Sequence, residues 1–153
     1  MNKILKTINY CLLIGFLSFG LNANESDIDE VEDEVNSLMV SFDKESLVEI
    51  SNRLIRMASN EEEGGDYYNA VKHYRQTLVL RERLGLANSK GYANLLLLTS
   101  NTEHNFGASC DAKDHVEKAL GLYKKLHFDK EATMASEELR EYSAACMVQT
   151  TQG

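Results

Sequence analysis

The fold turns on one stretch, Gly65-Asp66-Tyr67-Tyr68-Asn69-Ala70-Val71-Lys72-His73-Tyr74. Gly64, Gly65 and Asp66 interrupt a helical pattern, since glycine accepts the backbone turn that ends a helix. After them, Ala70, Val71, Tyr74, Leu78 and Leu80 recur at helical spacing and predict a helix from about Tyr67 to Leu84, stopped by Gly85. Ala70 would let a second helix approach closely. One turn later, the Tyr74 ring would fill the groove between the two.

The same periodicity extends in both directions. Upstream, Leu47, Ile50, Leu54, Met57 and Ala58 form an apolar stripe that ends at Gly64-Gly65-Asp66. Before a break at Ser41 to Asp43, another stripe runs through Ile28, Val31, Val35, Leu38 and Met39. Its opposite face is acidic (Asp29, Glu30, Glu32, Asp33, Glu34), with the carboxylates favourably near a helix N-terminus.

Downstream, a helix from about Ser89 to Asn105 carries Tyr92, Leu95, Leu96 and Thr99 inward and is followed by Gly107. A fifth starts near Asp111, with Asp114 three residues on in the place of a capping-box acid, and continues through Val116, Ala119, Leu120, Tyr123 and Leu126. A sixth takes Asp129 as N-cap and runs to about Val148 through Ala132, Met134, Leu139, Tyr142 and Cys146. Proline is absent, as is strand-like alternation. Six helices with short connections predict an all-α fold with antiparallel neighbours.

The N-terminus reads as an export signal. Lys3 and Lys6 precede an apolar run from about Ile8 to Leu21, and Leu21-Asn22-Ala23 closes it with a small residue. Residues 1–23 are therefore expected to be a signal peptide, removed near Asn24, which points to a periplasmic or secreted location. The apolar run is shorter than the roughly 20 residues a membrane span needs, so no stable membrane anchor is expected. The remaining chain is one domain's worth. Losing both lysines takes the net charge from −8 by two, to −10. Such acidity argues against nucleic acid and anionic membranes as partners and suits a basic protein.

Cys11 would leave with the leader, so Cys110 and Cys146 remain as a pair in an oxidising compartment. If the last two helices turn near Phe128, each cysteine lies 18 residues from the turn and the two face each other. The expected disulfide would stabilise the fold by about 4 kcal/mol in the chain-entropy description.

The Gly-Asp-Tyr start, Ala70 and Tyr74 resemble the second helix of a tetratricopeptide repeat. Ala119-Leu120-Gly121-Leu122-Tyr123 repeats the alanine and the tyrosine four positions on. With Tyr74-Arg75, Leu80-Arg81-Glu82 and Leu84-Gly85, the chain is most similar to the longer repeats of the kinesin light chain type, over about Lys44 to Phe128. There are departures. The two Ala/Tyr cores lie 49 positions apart, whereas a register through Ala112 and Val116 restores 42 but loses the aromatic. Glu61 and Glu103 stand where the family prefers an aromatic, and its terminal proline is missing.

The resemblance implies a short solenoid of stacked antiparallel hairpins. It would comprise an acidic helix over 24–43, two helix pairs over 44–128, and a capping helix and tail over 129–153. Its concave face would be lined by the first helix of each pair, with Asn52, Ile55, Ser59 and Glu62 on one and Asn94, Leu97, Asn101, His104 and Asn105 on the other. Asn94, Asn101 and Asn105 share one helical face. Their amides offer both donors and acceptors to a peptide backbone. The family's Lys/Arg clamp for a C-terminal carboxylate is not recognisable.

Signs of chemistry are sparse. His73, His104, His115 and His127 show no metal-ligand spacing, and neither a nucleophile motif nor a Gly-rich phosphate loop occurs. The expectation is an exported adaptor or scaffold with no catalytic activity, cofactor or metal, holding an extended or helical segment of another protein. A second expectation is a small acidic inhibitor or immunity-type protein that neutralises a basic secreted enzyme or toxin, its acidic helix steering the encounter.

Overall fold

The computed structural model describes residues 24–152, so the leader expected over 1–23 lies outside the described residues. Six helices follow one another: α1 (Asn24–Ser41), α2 (Lys44–Glu63), α3 (Tyr67–Arg83), α4 (Lys90–Phe106), α5 (Ser109–Lys125) and α6 (Asp129–Gln152). No strand occurs among the described residues. The chain is all-α. From α2 onward each helix packs on the next, and α1 lies against α3.

Short polar residues start the helices where the sequence places them. Asp43 accepts the Ser46 amide at 2.8 Å, Asp66 the Asn69 amide at 3.3 Å, and Ser89 the Tyr92 amide at 3.2 Å. Helix α5 departs from expectation, because it begins at Ser109 behind Ala108, which offers no side-chain cap. The capping box expected at Asp111 and Asp114 does not form: Asp111 is bound by Arg75 and Asp114 by Lys113. Likewise Asp129 is the first helical residue rather than the cap, and the Ala132 amide bonds to the Phe128 carbonyl.

Two apolar clusters hold the helices. The larger spans α2 to α6, with Tyr74, Leu95, Leu96, Val116 and Tyr123 filling it and Ala58, Ala93, Ala112 and Ala135 fully buried among them. Burial of each large side chain contributes on the order of 1.5–3 kcal/mol. The smaller joins α1 to α2 and α3 through Val35, Leu47, Leu80 and Leu84. Met57 and Met134, expected inside, are 40% and 48% exposed. In each case the adjacent alanine, Ala58 or Ala135, takes the inward position, and the methionine falls on the rim.

Backbone geometry repeats every 42 residues through the middle of the chain. Helices α3 and α5 are both 17 residues long, and their first residues are 67 and 109. Left-handed residues precede them at Gly65 and Gly107 and follow them at Gly85 and His127, each pair 42 apart. The bond from the Asp66 amide to the Glu61 carbonyl recurs from Ala108 to Glu103, both at 2.8 Å. That from Leu86 to Arg81 recurs from Phe128 to Tyr123, both at 2.9 Å. This spacing matches Ala112 and Val116 to Ala70 and Tyr74, whereas Ala119 and Tyr123 correspond to Thr77 and Arg81.

Helix α6 is held differently. Its Cys146 is bonded to Cys110 near the start of α5, with a Cα–Cα distance of 4.7 Å. Gln149 also donates to the Gly107 carbonyl. The bridge closes a 36-residue separation and ties the far end of α6 back to the α4–α5 turn.

Candidate functional site

Of the residues expected to bind, several are occupied in joining helices. Asn52 on α2 accepts from Arg81 on α3 at 2.8 Å, and 42 positions later Asn94 accepts from the Tyr123 hydroxyl at 2.8 Å. Glu62 accepts from Thr102 on α4 at 3.0 Å and from the Tyr74 hydroxyl at 3.4 Å. Burial first, then the Glu62 carboxylate, pushes Tyr74 up to about 12, and Ser59 also bonds its hydroxyl. Ile55 and Leu97 pack half-buried against the larger cluster. His104 stacks on Tyr142 with centroids 4.5 Å apart, and its Nδ1 lies 3.1 Å from the Ser109 hydroxyl.

What stays open is a stripe along α4. Leu98, Asn101 and Asn105 are exposed, with Asn105 donating to Asn101 at 2.9 Å. Asn94 is exposed in line with them, its amide donors still available while its Oδ1 accepts from Tyr123. Leu98 is 46% exposed and interrupts the amides with an apolar step. Sequence reasoning missed it because it ends the run Leu95 to Leu98, whose first two members are buried.

A charged cluster lies behind this face, toward α3 and α5. Glu103 on α4 is fully buried. The Arg75 Nε donates to its Oε1 at 2.7 Å, and the His115 Nδ1 sits 2.7 Å from its Oε2. Because an ionised carboxylate only accepts, the proton is assigned to Nδ1, leaving Nε2 as an acceptor when the ring is neutral. Arg75 also donates to Asp111 at 2.7 Å. Burial opposes the Arg75 charge, but Glu103 and Asp111 outweigh it and hold its pKa above the ordinary value. The signal for this cluster was the 42-residue spacing of Glu61 with Glu103 and of His73 with His115.

Between α3 and α5 the same cluster borders a groove of about 260 Å³. Val31, Leu78, Val79, Tyr92 and Leu96 supply its apolar surface, and Arg75, Glu82, Asp111, Asp114, His115 and Lys118 its polar one. Burial, then Glu82, to which the hydroxyl is hydrogen-bonded, pushes Tyr92 up to about 12. No Ser, Thr or Cys lines this groove beside the imidazole. Among the described residues no group of His, Cys, Asp and Glu is arranged to hold a metal ion, and no helix is long and apolar enough to cross a membrane.

The acidic helix α1 turns its charges onto α3. Lys72 bonds Glu30 at 2.9 Å and Glu34 at 3.1 Å, Gln76 donates to Glu34, and Arg83 pairs with Glu32 at 3.3 Å. Those bonds to Glu30 and Glu34 raise the Lys72 pKa. Compared with protein family models, with characterised proteins and with solved structures, the chain finds no match.

Proposed function

We propose that this protein is an exported, tetratricopeptide-like interaction module, an adaptor or scaffold without catalytic activity of its own. The observation that carries the reading is a 42-residue recurrence, shared by the length of α3 and α5, the left-handed residues and turn bonds at their ends, and the bonds Asn52–Arg81 and Asn94–Tyr123 that join each to the helix before it. That is the repeat length the kinesin light chain-type resemblance implies, with Val116 standing where the first pair has the aromatic Tyr74. It supports a stack built to present the first helices of its pairs side by side. The binding surface proposed is the α4 stripe of Asn94, Leu98, Asn101 and Asn105, where amides can match a peptide backbone and Leu98 a side chain.

The test is capture from an extract of the native compartment. Changing Asn101 and Asn105 together to Ala should abolish most of the retained partner while leaving helicity intact, since both side chains are exposed. Unchanged capture by a folded double variant would refute this surface. The inhibitor reading has less support, because Glu30, Glu32 and Glu34 already hold α1 on α3.

A further inference from the structure

The groove between α3 and α5 has a consistent chemistry that the asparagine stripe does not use. Its floor is apolar, formed by Leu78, Val79, Tyr92 and Leu96. Around it stand Glu82, Asp111 and Asp114 against the cations Arg75 and Lys118. Arg75 is already neutralised between Glu103 and Asp111. The His115 Nδ1 is committed to Glu103, so in the neutral ring Nε2 is left as an acceptor. A guest must therefore bring donors and positive charge, together with an aliphatic stem to cover the floor. Lysine and arginine side chains have that construction. With Asp111 taken by Arg75, a carboxylate would still face Glu82 and Asp114 against the single cation Lys118.

We propose that this groove receives a lysine or arginine side chain of the bound partner. The partner itself rests on the adaptor reading, but the groove is a different surface from the α4 stripe, so each can fail alone. The full exported protein, disulfide intact, is titrated with Nα-acetyl-lysine methylamide and followed by amide chemical shifts. The expected result is saturable movement of Val79, Tyr92 and His115. The uncharged norleucine analogue should bind about fivefold more weakly, as should the lysine probe to the E82Q/D114N variant. Removing the competing cation with Lys118→Gln should tighten binding roughly twofold.

Equal binding of the norleucine analogue would overturn the proposal, as would tighter binding of hexanoate or an absence of shifts at the groove. Loss of amine binding with capture through Asn101 and Asn105 intact would remove the groove and leave the adaptor. The reverse result would remove the stripe and leave the groove.

Discussion

Two carboxylate–imidazole pairs sit 42 residues apart, Glu61 with His73 and Glu103 with His115, each at 2.7 Å. Locally they are the same device, joining the end of one helix to the middle of the next. Their surroundings differ. The Glu61 side chain keeps 25% of its exposure, whereas Glu103 keeps none. The difference comes from the preceding pair, because Arg75 on α3 reaches forward to Glu103 and Asp111. Which helices surround the pair, rather than the motif, decides whether the charge is solvated or sealed.

The largest test of that contrast is Arg75→Met, which leaves Glu103 buried with less compensation and should cost about 3–5 kcal/mol. Glu61→Gln, in the open pair, should cost under about 1 kcal/mol. Urea unfolding of both variants checks this, and equal losses would erase the distinction. Next in size is the bridge, which adds a covalent tie to the packing of Ala132, Ala135 and Tyr142 that α6 shares with the other helices. Replacing Cys110 and Cys146 together with Ser should lower stability by about 2–4 kcal/mol. Insensitivity of the melting temperature to this change would mean that packing alone secures α6.

Alkaline pH separates the pairs again. Tyr74, Tyr92 and Tyr142 are all pushed up to about 12, in each case chiefly by burial. Tyrosine in the unfolded chain titrates near 10. A raised folded pKa means stability that is whole below about pH 10 and is lost as pH rises toward 12. Val116 occupies the position of Tyr74 in the second pair and cannot titrate, so Tyr74→Phe should shift the alkaline unfolding midpoint upward. Absorbance at tyrosinate wavelengths should then show fewer groups ionising during unfolding, and an unmoved midpoint would disprove the contribution.

The smallest effect belongs to the turns. Gly85 and His127 share a left-handed conformation, with φ of 75° and 61°. A side chain costs about 1–2 kcal/mol there. Gly85→Ala should therefore destabilise by about 1 kcal/mol, while His127→Gly should stabilise by somewhat less, because glycine also loosens the unfolded chain. Changes of the opposite sign in thermal unfolding would show that His127 gains more from its contacts than it loses in backbone strain.

Much of the helical framework was legible because it depends on spacing within each segment. Gly64-Gly65-Asp66, Gly85 and Gly107 mark real turns, and the stripes through Tyr74 and Tyr92 are buried. Cys110 and Cys146 face each other because a hairpin makes their separation predictable. Glu103 was not legible. A carboxylate near a helix end ordinarily reads as solvated, and its burial depends on Arg75, 28 residues back, and His115, 12 residues on. Met57 and Met134 failed for a related reason: periodicity finds the apolar arc but not which member of it a neighbouring helix touches. Of the proposed stripe, the three asparagines were visible in sequence, while the exposure of Leu98 required the packing of its neighbours.

Two helices of equal length, with matching turns at both ends, also pose a problem of assembly. A folding chain can mistake one for the other, and repeat-containing proteins characteristically misassemble by exchanging like elements. Here the exchange would be penalised at one position. The counterpart of Arg75, 42 residues on, is Glu117. Setting α5 in the place of α3 would bring Glu117 rather than a guanidinium up to the sealed Glu103, and two like charges out of water repel strongly. The half-buried arginine would thus act as a proofreading contact, one that distinguishes the correct order of two otherwise similar helices.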